Sequence, residues 1–274
     1  MTIRNVVGTF VVFLAVSAGA VPSTAQVMLS GDQLNQLVSR VALYPDGLLA
    51  QVLAASTYSD EIPEAAQWSD GHSYLQGDAL AAAISEDNLP WDPSVLALLP
   101  FPSVLDRMAS DMPWTRQLED AVLNQRADVM DAIQRERQTA RNFGYLQDCP
   151  EYRVVVAGPG IIEILPTDPA FYYVPIYDPL VVFSWRRDRV AARITFGPRV
   201  VIGAGFEPFG WRHSSVGWAS HALILNDRPW TRTRENRETY VHPYSVPRQP
   251  AGPRVERHEM RPTKGPRREE RKSR

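Results

Sequence analysis

Four side chains in the last third of the sequence carry nitrogen and oxygen atoms of the kind that bind zinc. They are Glu207, His213, His221 and Asp227. Protein zinc sites use sets of Cys, His and carboxylate ligands at characteristic spacings. The interval between the two histidines matches no known metal motif and does not place both rings on one face of a strand. Surface or hydrogen-bonded histidines are therefore our interpretation, with weak metal binding as an alternative.

Carboxylates next to prolines form a second set with chemical potential. Asp168 and Asp178 each precede a proline, Asp46 follows one, and Glu207 lies in a Pro- and Gly-rich stretch. Two carboxyl groups about 5 to 10 Å apart in a cleft can hydrolyse glycosides. Asp before Pro is also an ordinary turn former, and we favour that interpretation. A hydrolase of the cell envelope that uses these carboxylates is the alternative function.

Aromatic residues of the second half form a third set, whose rings are either a binding surface or the core of a small sheet. Aromatic and Arg side chains are enriched at interaction hot spots, although a small sheet also needs rings for its core. The candidate binding residues are Tyr173, Tyr177, Asp178, Trp211, His213 and Trp218. We expect no cofactor, because Gly203 and Gly205 do not form a dinucleotide-binding motif, and no Gly-x-Ser-x-Gly nucleophile motif is present.

The first half of the sequence has helical periodicity. Ser30 and Gln33 form a capping box, and Asp46 can cap the next helix, whose apolar face is Leu48, Leu49, Val52 and Leu53. The apolar pattern from residue 114 to residue 143 predicts one long helix that ends before a Gly. We therefore predict an antiparallel helical bundle over residues 26–149.

The pattern changes to short strands after Cys149. Residues 152–157 and 161–165 predict a hairpin, with residues 171–174 and 180–183 continuing it as a meander, and residues 211–218 and 221–225 predict a second hairpin. We therefore predict a small antiparallel β-rich module over residues 150–227, so that the whole fold is α+β. The remaining residues, 228–274, are rich in Pro and Arg, and we predict a disordered basic tail that folding does not need.

Charge and targeting signals indicate export. The chain has 8 basic and 18 acidic residues up to Pro150, and 21 basic and 13 acidic residues after it. This asymmetry predicts either attraction between the halves or a basic tail for an acidic partner. Residues 1–25 have the charged start, short apolar run and small residues of a signal peptide, with cleavage expected after Ala25. The single Cys149 cannot form an internal disulfide, so the core must stabilise the fold alone.

Five distinctive stretches follow one another along the chain. They are Leu43-Tyr-Pro-Asp-Gly-Leu-Leu-Ala-Gln-Val-Leu-Ala-Ala-Ser-Thr-Tyr58, Pro90-Trp-Asp-Pro-Ser-Val95, Phe101-Pro-Ser-Val-Leu105, Gln125-Arg-Ala-Asp-Val-Met-Asp-Ala-Ile133 and Tyr173-Val-Pro-Ile-Tyr-Asp-Pro179. In sequence and in order they resemble the domain-of-unknown-function 3300 family. The resemblance implies an exported bacterial protein, since members typically begin with a signal sequence. It implies no catalytic residue, because the family has no established activity.

We therefore expect an exported, periplasmic or secreted, non-enzymatic interaction protein of the cell envelope. Its expected partner is an envelope polymer, an anionic membrane surface or an envelope protein. Export makes nucleic acid an unsuitable partner. The sequence predicts no transmembrane segment after signal cleavage, because no later apolar run approaches the length of about 20 residues that a spanning helix needs.

Overall fold

The computed structural model describes residues 28–184 and 194–248. These residues form nine α-helices and nine β-strands, which confirms the predicted α+β class. The helices are α1 (Gly31–Val38), α2 (Asp46–Ser56), α3 (Ile62–Gly71), α4 (Gly77–Asp87), α5 (Pro93–Leu96), α6 (Pro102–Ser110), α7 (Met112–Asn124), α8 (Arg126–Asn142) and α9 (Pro179–Val182). Short 3-10 helices lie at Ser59–Glu61, Ala204–Phe209 and Trp218–Ser220.

The strands pair in four small antiparallel sheets. They are β1 (Tyr152–Gly158), β2 (Ile161–Pro166), β3 (Phe171–Tyr172), β4 (Pro175–Ile176), β5 (Thr195–Phe196), β6 (Val200–Val201), β7 (Ser215–Gly217), β8 (Ala222–Leu225) and β9 (Arg228–Trp230). The pairs are β1 with β2, β3 with β6, and β4 with β5, while β7, β8 and β9 form a three-stranded sheet. The β1–β2 hairpin turns at Gly160, whose φ of 75° is in the left-handed region that glycine tolerates.

Helix α2 lies at the centre of the molecule. All eleven of its residues are buried, including Leu49, Val52 and Leu53 as predicted. A helix that is apolar on every side must be covered on every side. Helices α5 and α7 pack against it together with strands β2, β7 and β8, so the helices and strands share one principal core.

The first half confirms two predicted caps and corrects a third cap and one helix. Asp46, predicted as an N-cap, is the first residue of α2, and its carboxylate bonds Arg137 and Trp218 instead of the start of the helix. The Ser30 and Gln33 capping box is present, and Gly144 has a φ of 78° after α8. The predicted single helix over residues 114–143 was wrong. The helix is divided into α7 and α8 at Gln125, whose backbone is not helical, with φ −142° and ψ 47°. The Gln125 side chain bonds both the N–H and the carbonyl of Leu29, and this long-range pairing was invisible to helical periodicity.

The second half differs from its prediction in two strands. Both hairpins are confirmed, but the meander was wrong, because β3 pairs with β6 and β4 with β5 across long connections. Residues 180–183, predicted as a strand, lie in and just after α9 instead. Asp178 accepts a hydrogen bond from the Leu180 N–H at 2.9 Å, and Pro179 occupies the first helical position. This N-cap and proline favour a helix more strongly than the β-branched valines favour a strand.

The start of the predicted tail is also part of the fold. Trp230 is fully buried at the end of β9, and Tyr240, Tyr244 and Val246 pack against the principal core. The boundary at residue 228 was therefore placed too early, since widely spaced aromatic residues anchor a segment of otherwise polar composition. The predicted signal peptide and the end of the predicted tail, residues 249–274, lie outside the described residues. No helix among the described residues combines the length and the apolar character that a membrane span requires.

Candidate functional site

A buried ion pair in the first half of the chain is hydrogen-bonded to the second half. Asp46, the first residue of α2, is 3% exposed, and Arg137 of α8 is fully buried. An Nη1 atom of Arg137 lies 2.6 Å from Oδ1 of Asp46. The same carboxylate accepts the N–H of Ile164 at 3.2 Å and the indole N–H of Trp218 at 2.8 Å. One side chain thus joins two helices to β2 and to the 3-10 helix that contains Trp218.

Each nitrogen of the Arg137 guanidinium has a hydrogen-bond partner inside the fold. It donates to the carbonyls of Ala42, Tyr44 and Ile162 at 2.8, 2.9 and 2.7 Å, and it lies 4.7 Å from the centre of the Trp218 ring. A buried charge is tolerated only when it is paired and its donors are satisfied, as they are here. Asp46, one of the candidate catalytic carboxylates, therefore has a structural position.

The residue after Asp46 allows a close approach of the second half. A Cβ atom at Gly47 would lie 2.4 Å from the hydroxyl oxygen of Tyr172 and 2.8 Å from the carbonyl oxygen of Ser214. The Tyr172 ring lies 4.9 Å from that of Trp211 and 6.2 Å from that of Phe101. This cluster of three rings fills the space beside α2, and glycine is the residue that makes the space available.

The predicted binding residues do not form one site. Trp211 is 7% exposed and donates its indole N–H to the carbonyl of Ala97, and Trp218 is 6% exposed in the ion-pair network. Both tryptophans are therefore core residues. His213 lies at the surface, 2.9 Å from a carboxylate oxygen of Asp227.

The tyrosines of the predicted set also have separate surroundings. Tyr177 donates its hydroxyl hydrogen to the carbonyl of Ser39 at 2.8 Å, and burial raises its pKa well above the usual value. Tyr173 has an edge contact with the Phe196 ring at 6.5 Å. Asp178 caps α9, as described above. The six residues are thus distributed between the core, a helix cap and the surface.

The candidate metal and carboxylate sets, which were considered as alternatives, do not converge either. His221 pairs with Asp131 at 3.0 Å, and Glu207 pairs with Arg212 at 3.6 Å. Asp168 accepts the N–H of Ala170 in a turn. Within residues 28–184 and 194–248, no group of three His, Cys, Asp or Glu side chains has the arrangement of a metal site.

A cavity of about 150 Å³ lies where α3, α4 and α6 meet the strands of the second half. Sequence reasoning did not identify it. Its apolar wall consists of Leu75, Leu80, Leu99, Pro100, Phe101, Pro102, Val174, Pro198, Val200 and Val201. Its polar wall consists of Ser69, His72, Ser73, Gln76, Ser103 and Arg199. Both halves of the chain contribute, so the cavity exists only in the assembled fold.

Most polar groups of the wall lie at the cavity mouth. Ser69 is buried and donates its hydroxyl hydrogen to the carbonyl of Leu99 at 2.8 Å, so its donor is already used. His72 places Nδ1 2.8 Å from the carbonyl oxygen of Trp68, and the two rings stack with centres 3.9 Å apart. Tyr74 continues this ring stack and is 77% exposed. An apolar interior with a few polar groups is the usual form of a small-molecule site.

Arg199 is the charged residue on this wall. Its guanidinium lies 4.5 Å from the centre of the Phe171 ring. In the part of the chain that the structure describes, no carboxylate pairs with it and no carboxylate lines the cavity. The mouth therefore carries a cation that is positioned by an aromatic ring and is available to an anion.

A second cluster of titratable groups lies under the C-terminal segment. Glu61 accepts the backbone N–H of Asp92 at 2.7 Å, and burial raises its pKa to about 7. His242 is packed 3.6 Å from the Asp92 carboxylate, and burial lowers its pKa. The ring of Tyr244 covers that of His242 at 4.4 Å. These groups lie where the C-terminal segment packs against the helices.

Residues 30–249 match the model of a family described as "Protein of unknown function (DUF3300)". The chain belongs to this family. It is also 38% identical over 194 residues to "Uncharacterized protein YacH" of Escherichia coli strain K12, a match that covers 60% of this chain and 31% of the relative. The chain thus corresponds to less than a third of that longer protein. No solved structure matches it.

The family match extends over both walls of the cavity and the C-terminal segment. The resemblance identified from the motifs is confirmed, and two of the motifs include cavity residues, Phe101 in the one and Val174 in the other. The signal that could have located the cavity is the Leu-Pro-Phe-Pro run at residues 99–102. Prolines limit close packing of the backbone at a helix start, and all four residues lie on the wall.

Proposed function

We propose that this protein is an exported, non-enzymatic binding protein of the cell envelope, and that the cavity between the helices and the strands is its interaction site. The observation that carries the proposal is the composition of the cavity. Buried aliphatic and aromatic side chains from both halves form its interior, and hydroxyl, amide, imidazole and guanidinium groups surround its mouth. Such a site binds through apolar contact and orients its ligand at the rim.

The positions of the candidate catalytic groups support a role without chemistry. Asp46 is held by Arg137, Asp168 and Asp178 accept backbone N–H groups, and Glu207 pairs with an arginine at the surface. None of these carboxylates lines the cavity. Hydrolysis of a glycoside needs two carboxyl groups that face one bond.

Export is supported by the composition of residues 1–25, which has the parts of a signal peptide. An exported protein meets envelope polymers, membrane surfaces and other envelope proteins, and these are the partners we propose. N-terminal sequencing of the protein from cell fractions tests the localisation. We expect a mature chain that starts near Gln26, and exported material that retains Met1 would contradict it.

The binding role can be tested by closing the cavity mouth. Ser103 is exposed on the wall at the start of α6, so Ser103→Trp should block the mouth without disturbing the core. Ser110→Trp, at the exposed end of the same helix and away from the cavity, is the matched control. Immobilised mature protein would be exposed to envelope extract at low and high salt, and the retained components quantified. We expect a component that the wild type and Ser110→Trp retain and Ser103→Trp loses; equal retention by all three would refute the proposal.

An envelope hydrolase is the second candidate, and one observation favours it. Glu61 has a pKa of about 7 beside Asp92 and His242, which is the range that acid–base catalysis uses. Hydrolysis of envelope polysaccharide that the wild type performs and Glu61→Gln does not would establish this function instead.

A further inference from the structure

We propose that the cavity binds a small carboxylate, with an apolar part of about six carbons inside the cavity and the carboxylate at Arg199. This inference rests on the proposed function and adds the chemical class of the ligand. It follows from the volume of the cavity, from the residues of its interior and from the charge at its mouth.

The volume sets the size of the apolar part. A dry cavity of about 150 Å³ holds one benzene molecule, and the cavity here has that volume. Leu80, Leu99 and Phe101 are buried in its wall and offer only carbon atoms to a ligand. A chain of about six carbons or a single apolar ring therefore fits against these three side chains.

The positive charge at the cavity mouth determines which polar group the ligand carries. Arg199 is exposed, so a ligand can reach it, and the Phe171 ring holds its guanidinium in place. The acidic residues Asp70, Asp78 and Asp106 of the helices that form the wall lie outside the cavity lining. A guanidinium presents paired N–H donors that match the two oxygens of a carboxylate. A cation at the mouth would instead be repelled by Arg199.

Two sources could supply such a carboxylate. One is a free short-chain acid, and the other is the C-terminal residue of a peptide with an apolar side chain. Hexanoate represents the first source, and N-acetyl-leucine represents the second. Hexan-1-ol and N-acetyl-leucinamide are the corresponding neutral compounds, so each pair differs only in the charged group.

The test measures the affinity of these four compounds for the mature protein by ligand-observed NMR or calorimetry. We expect each carboxylate to bind about three- to tenfold more tightly than its neutral partner, and high salt to reduce the difference, because an exposed ion pair is screened. Arg199→Gln should remove the difference and leave hexan-1-ol binding unchanged. Arg153→Gln, an exposed arginine on β1, is the control and should keep the difference.

The outcomes separate this inference from the proposed function. Equal affinity of acid and neutral partner in the wild type, or a preference that survives Arg199→Gln, overturns the carboxylate and leaves the cavity as a binding site. If Ser103→Trp binds all four compounds as the wild type does, the site itself is wrong. Tighter binding of hexanoate assigns the free acid, and tighter binding of N-acetyl-leucine assigns the peptide terminus. Melting temperatures of the variants check that each is folded.

Discussion

Replacement of Arg137 by methionine is the most direct test of how the two halves are held together. Arg137 is fully buried, its charge faces Asp46 at 2.6 Å, and it donates to three backbone carbonyls. Methionine is unbranched and fills the space of the arginine side chain up to the guanidinium, so the change removes charge and donors while it limits the cavity that would form. The buried carboxylate of Asp46 is then left without its cation.

The expected loss follows from these contacts. Removal of one partner from a buried ion pair costs about 3 to 5 kcal/mol, because the other charge remains desolvated. Each carbonyl that loses its donor adds about 1 kcal/mol or more, although such terms overlap and do not sum. Two further bonds to Asp46, from Ile164 and Trp218, partly compensate. We therefore expect Arg137→Met to lower the free energy of unfolding by about 4 kcal/mol.

Denaturant unfolding of the mature protein measures this loss. The control is Arg135→Met, two residues earlier on the exposed face of α8, for which we expect a loss below about 1 kcal/mol. The double variant with Asp46→Asn should be more stable than the sum of the single losses predicts, because it no longer buries an unpaired charge. A loss below about 1 kcal/mol for Arg137→Met, or additive single losses, would refute the reasoning.

Three further predictions concern other contacts. Gly47→Ala should lower the free energy of unfolding by about 1 to 3 kcal/mol, because its Cβ would meet the Tyr172 hydroxyl. Gly71→Ala, with open space around it, should not destabilise the protein. Equal melting temperatures of the two variants would contradict this. Because folding raises the pKa of Glu61 to about 7, this residue stabilises the fold most below about pH 4.5, and the stabilisation is lost as the pH rises through 7. Glu61→Gln should therefore reduce the fall in melting temperature over this pH range. An unchanged fall would show that the pKa of Glu61 is ordinary. A chain that ends at residue 228 should melt roughly 10 °C below one that ends at residue 248, because it loses Trp230 and the segment after it; equal melting temperatures would restore the predicted boundary at residue 228.

Local signals in the sequence predicted local structure well. The capping box at Ser30, the left-handed Gly144 and the hairpin turn at Gly160 depend on a few neighbouring residues, and all three are present. The burial of Leu49 followed from its helical spacing. The sequence could not show that Gln125 breaks a helix by pairing with Leu29, because 96 residues separate the partners.

The candidate site was harder to predict, for a physical reason. Trp211 and Trp218 were candidate binding residues because aromatic residues occur both in cores and at interfaces. Only their hydrogen bonds to Ala97 and Asp46 show that they lie in the core. The cavity is an absence of atoms between segments more than 60 residues apart in the chain, such as Phe101 and Val174. The Leu-Pro-Phe-Pro run at residues 99–102 is a local sign of one wall, but it does not identify the residues of the opposite wall. Single-sequence patterns therefore identify groups that fill a fold more readily than the gaps left between them.

The ion pair and the cavity are connected through the ring cluster, which leads to a last prediction. Phe101 on the cavity wall lies 5.4 Å from the Trp211 ring, Tyr172 lies 4.9 Å from the same ring, and the Tyr172 hydroxyl lies against Gly47, next to Asp46. A buried ion pair adds little net stability compared with apolar packing, but its directed bonds fix positions. We therefore expect Asp46→Asn, measured well below its melting temperature, to weaken hexan-1-ol binding by more than its unfolded fraction explains. Unchanged affinity in the folded variant would show that the cavity keeps its shape without the ion pair.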